Sequence, residues 1–247
     1  VLNGFHAVKD GLTAHPEEVS GRAVKNWFLV ASGIIFSNGR TWKQQRRFGV
    51  MTLRHLGMGK KGLEYWVQEE AHHLLQHFAS MKEKVQQELD AVLGSSQLIC
   101  YEDRKKMPYT NAVIHEIQRF SNIIPVGLPR VCAKNTMLLG FPLAKVDRLC
   151  SVLYDPEQWE TPRQFNPGHF LDKDGNFVNQ KAFLPFSAGH RVCLGELLAR
   201  TELFIFFSNL LRAFTFRLPE GVKQVNIEPI LAGTWQPHPY GICAVPR

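Results

Sequence analysis

The chain has 247 residues, 45% of them hydrophobic and 21% charged, a globular composition able to bury a real core as one large domain or two small ones. Its formal net charge of +7 forms no long block, and no basic stripe is interleaved with exposed aromatics, so nucleic acid is excluded as a partner. The five cysteines, Cys100, Cys132, Cys150, Cys193 and Cys243, are odd in number and widely spaced with no Cys-x-x-Cys pair, which excludes a disulfide framework and a structural zinc site and fits a reducing, cytosol-facing environment.

Helical periodicity predicts a short helix over 7–12 and a longer one over 41–56, the second opening after Asn38-Gly39. A long helical pattern then covers 63 to about 93 and stops at Gly94-Ser95-Ser96. Pro108 suits a first helical turn, and 111–120 continues as a helix with Val113, Ile117 and Phe120 on one side. Pro125, Pro129 and Pro142 forbid long helices between 123 and about 148. Irregular loops over 155–170 and 172–176 lead to the decapeptide Phe186-Ser-Ala-Gly-His-Arg-Val-Cys-Leu-Gly195 and an apolar helix over 196–214. The richest apolar run, Leu203-Phe-Ile-Phe-Phe207, stops at Ser208-Asn209, short of the ~18 to 20 residues that span a bilayer. From Phe214 onward, Pro, Gly and β-forming residues predict short strands and hairpins. The pattern is mainly α with a small β part, without repeats or a low-complexity linker. Short basic clusters at Arg46-Arg47, Lys60-Lys61 and Arg104-Lys105-Lys106 read first as solvated faces and second as a docking surface for an acidic protein or an anionic membrane.

The decapeptide carries the chemistry. Cys193 is offered between two glycines, next to Arg191 and just before a helix; backbone N–H groups and the positive end of a helix dipole favour a thiolate there. Gly189 can take the positive φ of a tight ligand loop, and Gly195 leaves no Cβ where the chain must lie close to a flat ring. Arg191 supplies a planar, permanently charged fork suited to a carboxylate. Elsewhere, Glu116 and Arg119 stand three apart on one helix face, and Trp42 and Arg46 stand four apart on another. His115-Glu116 lacks a second histidine four residues on, and Gly57-Met-Gly-Lys60 lacks the upstream glycine of a phosphate loop, so zinc-protease and nucleotide readings fall away. The remaining histidines read as surface or packing residues.

Phe-x-x-Gly-x-Arg-x-Cys-x-Gly, complete at Phe186, Gly189, Arg191, Cys193 and Gly195, resembles the signature of the cytochrome P450 haem-thiolate monooxygenases. The resemblance extends to Glu116-x-x-Arg119, which in that family locks the loop before the haem ligand to the core. It extends also to Trp42-x-x-x-Arg46, whose relatives bind a haem propionate. Arg130 falls where relatives place another propionate-binding cation, Ile124, Val126 and Leu128 where they line the substrate pocket, and Asn166-Pro167 with Phe170 in the irregular stretch leading to the cysteine loop. Phrases such as Val1-Leu-Asn-Gly-Phe-His, Phe36-Ser-Asn-Gly and Thr41-Trp-Lys-Gln-Gln-Arg-Arg resemble microsomal family two most, especially its J type. The resemblance implies iron protoporphyrin IX bound through Cys193 and oxygen insertion into lipophilic substrates, both fatty acids such as arachidonic acid and xenobiotics. It also implies an NADPH-dependent flavoprotein reductase as electron donor and a site on the cytosolic face of the endoplasmic reticulum membrane.

The chain is half the family's length. Residues up to about Gln76 resemble the helices before the substrate roof, and 82–94 resembles the helix after the long central one, so an internal deletion is expected near 76–82 and a smaller gap near 145–147. The central helix with its Ala-Gly-x-Asp/Glu-Thr string is absent, and the similar Ala232-Gly-Thr-Trp235 has no acid, so no catalytic residue is assigned. No signal peptide opens the chain and no methionine precedes Met51, which points to a preceding segment that includes the family's membrane anchor. The expectation is a single domain over 1–247, a truncated P450 fold without its central distal helix region. The alternative function is a non-catalytic shortened variant that at most binds haem or the reductase.

Overall fold

The computed structural model describes residues 4–14, 16–22, 33–56, 58, 83–93, 97–124, 136–138, 141–143, 152–222, 230–231 and 234–247. These belong to two units, one made of Val1–Leu56, Ile124–Gln164 and Lys181–Glu196, the other of Gly57–Ile123, Phe165–Gln180 and Leu197–Arg247. The first part of the long helical pattern, 63–82, and both expected gaps lie outside the described residues, as do Val126, Leu128 and Arg130.

In the first unit, helix α1 (Phe5–Thr13) buries Phe5, Val8, Gly11 and Leu12, one stripe at helical spacing. Its first N–H group, on Phe5, is satisfied by the Asp155 carboxylate at 2.7 Å. Two single turns follow, α2 (Pro16–Val19) and α3 (Gly33–Phe36), and then α4 (Gly39–His55). Helix α4 is polar on most of its surface and buries Trp42; Arg54 and His55 in its last turn suit the negative end of its dipole. Strands β1 (Thr136–Leu138) and β2 (Phe141–Leu143) form an antiparallel hairpin inside the stretch that prolines barred from helix. The segment from 152 is irregular but ordered by packing: Val152, Leu153 and Trp159 are buried, and the Trp159 indole donates to the Val152 carbonyl at 3.1 Å.

The second unit holds most of the apolar core. Helix α5 (Glu83–Val92) contributes Val85 and Leu89, and α6 (Pro108–Ser121) contributes Val113 and Ile114. Phe204, Ile205 and Leu211 come from α7 (Glu196–Ala213), whose residues from Leu197 on belong to this unit. Each such side chain, fully buried, contributes roughly 1.5–3 kcal/mol of hydrophobic stabilisation. Helix α6 starts on Pro108 and stops where Asn122 turns left-handed at φ 40°. Strand β3 (Phe214–Arg217) pairs antiparallel with β6 (Cys243–Pro246), with Phe214 opposite Pro246 and Arg217 opposite Cys243. Strands β4 (Ile230–Leu231) and β5 (Trp235–Gln236) make a smaller pair. The architecture is thus mainly α with small antiparallel sheets, a partial form of the expected fold. Among the described residues no helix is long and apolar enough to cross a membrane.

Candidate cofactor site

The cysteine loop is built from its backbone outward. The Cys193 N–H donates to the Phe186 carbonyl at 3.0 Å, Val192 to Gly189 at 3.0 Å and Ser187 to Leu184 at 3.0 Å, so the loop is closed on itself before any side chain acts. Two positive φ values make this possible, Ser187 at 65° and Gly189 at 70°. Only glycine fits at 189, because a Cβ there would run into the Leu12 carbonyl of α1. Cys193 is exposed and carries a free thiol, just ahead of Glu196, where α7 begins. A Cβ on Gly195 would stand 4.0 Å from the Cys193 sulfur, an ordinary contact. Phe186 is half-buried at the start of the loop.

Around this loop the structure gathers cations. Arg191 is buried, and its guanidinium donates to the carbonyls of Ser20 at 3.0 Å, Ser37 at 2.8 Å and Ile34 at 3.4 Å, with the Asn38 side-chain oxygen at 3.4 Å. It also lies 3.9 Å from the centre of the Trp42 ring, a close cation–π contact. Arg46 donates to the Val192 carbonyl at 3.0 Å and approaches the same ring at 5.7 Å. Trp42, Arg46 and Arg191, expected on separate sequence motifs, are therefore brought together beside Cys193.

A third arginine was not legible in the sequence. Arg22 is buried, donates through Nε to the Ile35 carbonyl at 3.1 Å, and belongs to the same cluster. Arg191 is pushed down to about 10, by burial first and then by the like charges of Arg22 and Arg46. Burial also lowers Arg46, while the neighbouring Cys193 sulfur pulls it back up. The only sequence signal for Arg22 is an arginine in Ser20-Gly21-Arg22, which is no motif by itself.

The donor set decides what such a site fits. Among the described residues no three His, Cys, Asp or Glu side chains gather as metal ligands. A porphyrin supplies four nitrogens of its own and needs one protein sulfur on the iron and cations for its two carboxylates. One exposed cysteine, with Arg46 and Arg191 donating to backbone carbonyls beside it, matches that requirement. Ile124, expected in the substrate pocket, is 50% exposed.

The second expected pair lies in the other unit. Arg119 donates to both oxygens of Glu116, at 2.7 and 2.8 Å, and both side chains are fully buried. Glu116 Oε1 also accepts the Asn166 N–H at 2.7 Å, and His169 Nδ1 lies 3.3 Å from each carboxylate oxygen. The pair thus grips the 3₁₀ turn Pro167–Phe170, the irregular stretch that the sequence had associated with it.

A family model described as Cytochrome P450 matches residues 1–83 and 79–244, and the chain belongs to the cytochrome P450 family, whose members bind haem and act in general as monooxygenases. Its relatives are family-two cytochromes. It is 51% identical to Cytochrome P450 2W1 of Homo sapiens over 170 residues, 66% of this chain and 34% of that protein. It is 46% identical to Cytochrome P450 2K1 of Oncorhynchus mykiss over 180 residues, 70% of this chain and 36% of that protein. With Cytochrome P450 2D28 of Mesocricetus auratus it shares 47% over 174 residues, 69% of this chain and 35% of that protein. The chain thus matches about a third of the length of these curated relatives.

Proposed function

We propose that this chain is the proximal, haem-gripping portion of a family-two haem-thiolate monooxygenase. The observation that carries the reading is the gathering of Arg22, Arg46 and Arg191 beside the exposed Cys193 thiol. Cys193 would hold the haem iron through its sulfur. Trp42, Arg46 and Arg191 hold the carboxylate edge together with Arg130, which the family resemblance adds. Phe186 and Gly195 shape the loop, and Glu116 and Arg119 are structural supports. Bound haem supplies an iron that activates O₂. The residues of this chain supply the rest: Arg46, bonded to the Val192 carbonyl, sets a positive charge beside the sulfur, and the arginines would orient the ring through its acid groups.

The substrate class by resemblance is lipophilic, fatty acids such as arachidonic acid and xenobiotics, with Ile124, Val126 and Leu128 at the pocket. The electron donor is an NADPH-dependent flavoprotein reductase, and the place of work is the cytosolic face of the endoplasmic reticulum membrane. A depression of about 440 Å³ lined by Arg40, Arg47, Lys43 and Glu17, the last two paired at 3.2 Å, keeps a net positive charge that supports docking of an acidic partner. The finer likeness to the J type rests on the three phrases quoted above.

A second reading, a non-catalytic variant that binds haem or reductase, is favoured by one observation. The family match falls in two segments that meet at residues 79–83, which supports an internal deletion near 76–82, and no Ala-Gly-x-Asp/Glu-Thr string occurs in the sequence. That string organises water and protons for O–O cleavage in the family, and the thiolate does not need it. The deciding experiment is the reduced, carbon-monoxide difference spectrum of the haem-supplemented chain. A thiolate-type band that disappears in Cys193→Ala, with thermal stability changed by less than ~0.5 kcal/mol because the side chain is exposed, supports ligation. Absence of bound haem in the parent chain overturns it. Fatty-acid oxidation with reductase and NADPH then separates the monooxygenase from the binding-only variant.

A further inference from the structure

Asn38 stands at the N-cap position of α4 in extended conformation, φ −126° and ψ 169°, yet its side chain makes no capping bond. An asparagine there ordinarily turns its oxygen onto the helix's first N–H groups. Instead, Asn38 Oδ1 accepts the Arg22 N–H at 2.7 Å and Asn38 Nδ2 donates to the Arg22 carbonyl at 3.0 Å. The amide grips the backbone of one residue at both ends, as a neighbouring strand would, and this pairing fixes which end of the amide is oxygen. The same Oδ1 lies 3.4 Å from Arg191. A side chain that leaves a helix uncapped to hold one arginine's backbone and touch another's guanidinium is placed to set the arginine cluster.

We propose that Asn38 is the positioning residue of that cluster, holding Arg22 and Arg191 where they meet the carboxylates of an anionic porphyrin. The inference rests on the haem reading above and deepens it. Asparagine is suited because the task needs a donor and an acceptor together without charge. Aspartate keeps the acceptor, loses the donor to the Arg22 carbonyl and brings a negative charge against Arg191. Alanine loses both bonds and adds no charge.

The test uses the full chain and two iron-free probes, protoporphyrin IX and its dimethyl ester, titrated by fluorescence. Without iron neither ring can take the Cys193 sulfur, so the outcome is independent of ligation. The parent chain is expected to bind the diacid more tightly than the diester. Asn38→Ala weakens the diacid about tenfold, as loss of a hydrogen bond that orients a charged group implies, and leaves the diester unchanged. Asn38→Asp weakens the diacid further than alanine does, although its near-identical shape and retained acceptor leave thermal stability at or above that of Asn38→Ala. That opposition between binding and stability is what a merely structural role does not produce. If Asn38→Ala does not fold, Asn38→Ser, which keeps a small donor and acceptor, takes its place and must bind the diacid more tightly than Asn38→Asp. The proposal is overturned if aspartate binds the diacid as tightly as alanine or serine, or if all variants weaken both probes alike. A parent chain that does not distinguish diacid from diester overturns it together with the arginines' role, while Cys193 ligation is still judged by the carbon-monoxide band.

Discussion

Arg119 and Arg191 are both buried arginines in family motifs, and their surroundings differ in kind. Arg119, 0% exposed, is finished internally: Glu116 meets it with both oxygens and then takes the Asn166 N–H as well. Arg191, 9% exposed, has neutral oxygens as its partners among the described residues and two arginines as neighbours. A buried charge with its countercharge in place is part of the scaffold; one held by dipoles against like charges is stabilised further by an incoming anion. The contrast separates a structural arginine from a binding arginine without reference to any relative.

The sharpest way to break that contrast is to remove the countercharge. Glu116→Ala takes both carboxylate oxygens away from the buried Arg119 guanidinium and also removes the acceptor that Glu116 offers the Asn166 N–H. The expected loss is about 3–5 kcal/mol of unfolding free energy, read from urea denaturation. A loss below ~1 kcal/mol would make Glu116 dispensable and remove the scaffold side of the comparison.

A third cation-forming group, the half-buried His115, tests the same logic by pH. Its Nδ1 lies 2.7 Å from the Asn111 carbonyl and its Nε2 3.0 Å from Arg200, with the Phe170 and Phe177 rings against it. Burial first, then the Arg200 and Arg104 charges, push it down to about 4 from the usual 6.5, partly offset by the Asn111 carbonyl. The neutral ring is the folded form, so its contribution is present above about pH 6.5 and is lost as pH falls toward about 4. The loss is ~3 kcal/mol at most by linkage. Chemical denaturation across that window should show the slope in the parent chain and a flatter one in His115→Gln; equal slopes would mean that another group titrates.

Arg191→Gln is expected to cost less than Glu116→Ala, about 2 kcal/mol. Several carbonyls lose a donor, but Arg22 and Arg46 lose a repulsive neighbour, and the two effects oppose. In haem titrations the ranking reverses, with Arg191→Gln weakening uptake and Glu116→Ala acting through folding alone. Equal stability losses for the two variants would erase the distinction between them.

How much of this was legible in the sequence follows from the range of the interactions. Helices α1, α4, α6 and α7 lie close to the expected spans because proline, glycine and apolar spacing are local signals: Pro108 opens α6, and the pattern over 41–56 becomes Gly39–His55. The cysteine decapeptide was legible for the same reason, since loop closure between Phe186 and Cys193 occurs within one motif. Arg22 and Asn38 were not, because their meaning lies in bonds across sixteen residues and a contact with Arg191 further along the chain. Asn38 even carried a misleading local signal, an N-cap asparagine that caps nothing. His115, which the sequence set aside only as an incomplete zinc motif, packs against Phe170 and Phe177, and its Arg200 partner comes from α7 and has no trace in local spacing.

Glu88 completes the comparison as the mirror of Arg191: a carboxylate among neutral donors. Helix α6 has Met107 at its N-cap without a side-chain capping bond, and Glu88 on α5 performs that task from a distance. It accepts the Tyr109 N–H at 3.0 Å, the Thr110 N–H at 2.7 Å and the Thr110 hydroxyl at 2.6 Å. The resemblance to Arg191 ends at the electrostatics. Glu88 faces the positive end of a helix dipole, so its charge is already answered by the fold, whereas Arg191 faces other arginines. Glu88→Gln keeps one oxygen for the N–H groups and gives up the charge, for an expected loss of about 1 kcal/mol in unfolding free energy with haem affinity unchanged. Added salt should narrow the difference between Glu88→Gln and the parent chain, because the dipole interaction is screened. A change in haem affinity as large as that of Arg191→Gln would show that neutral surroundings alone mark a binding charge, and that like-charged neighbours are not the deciding feature.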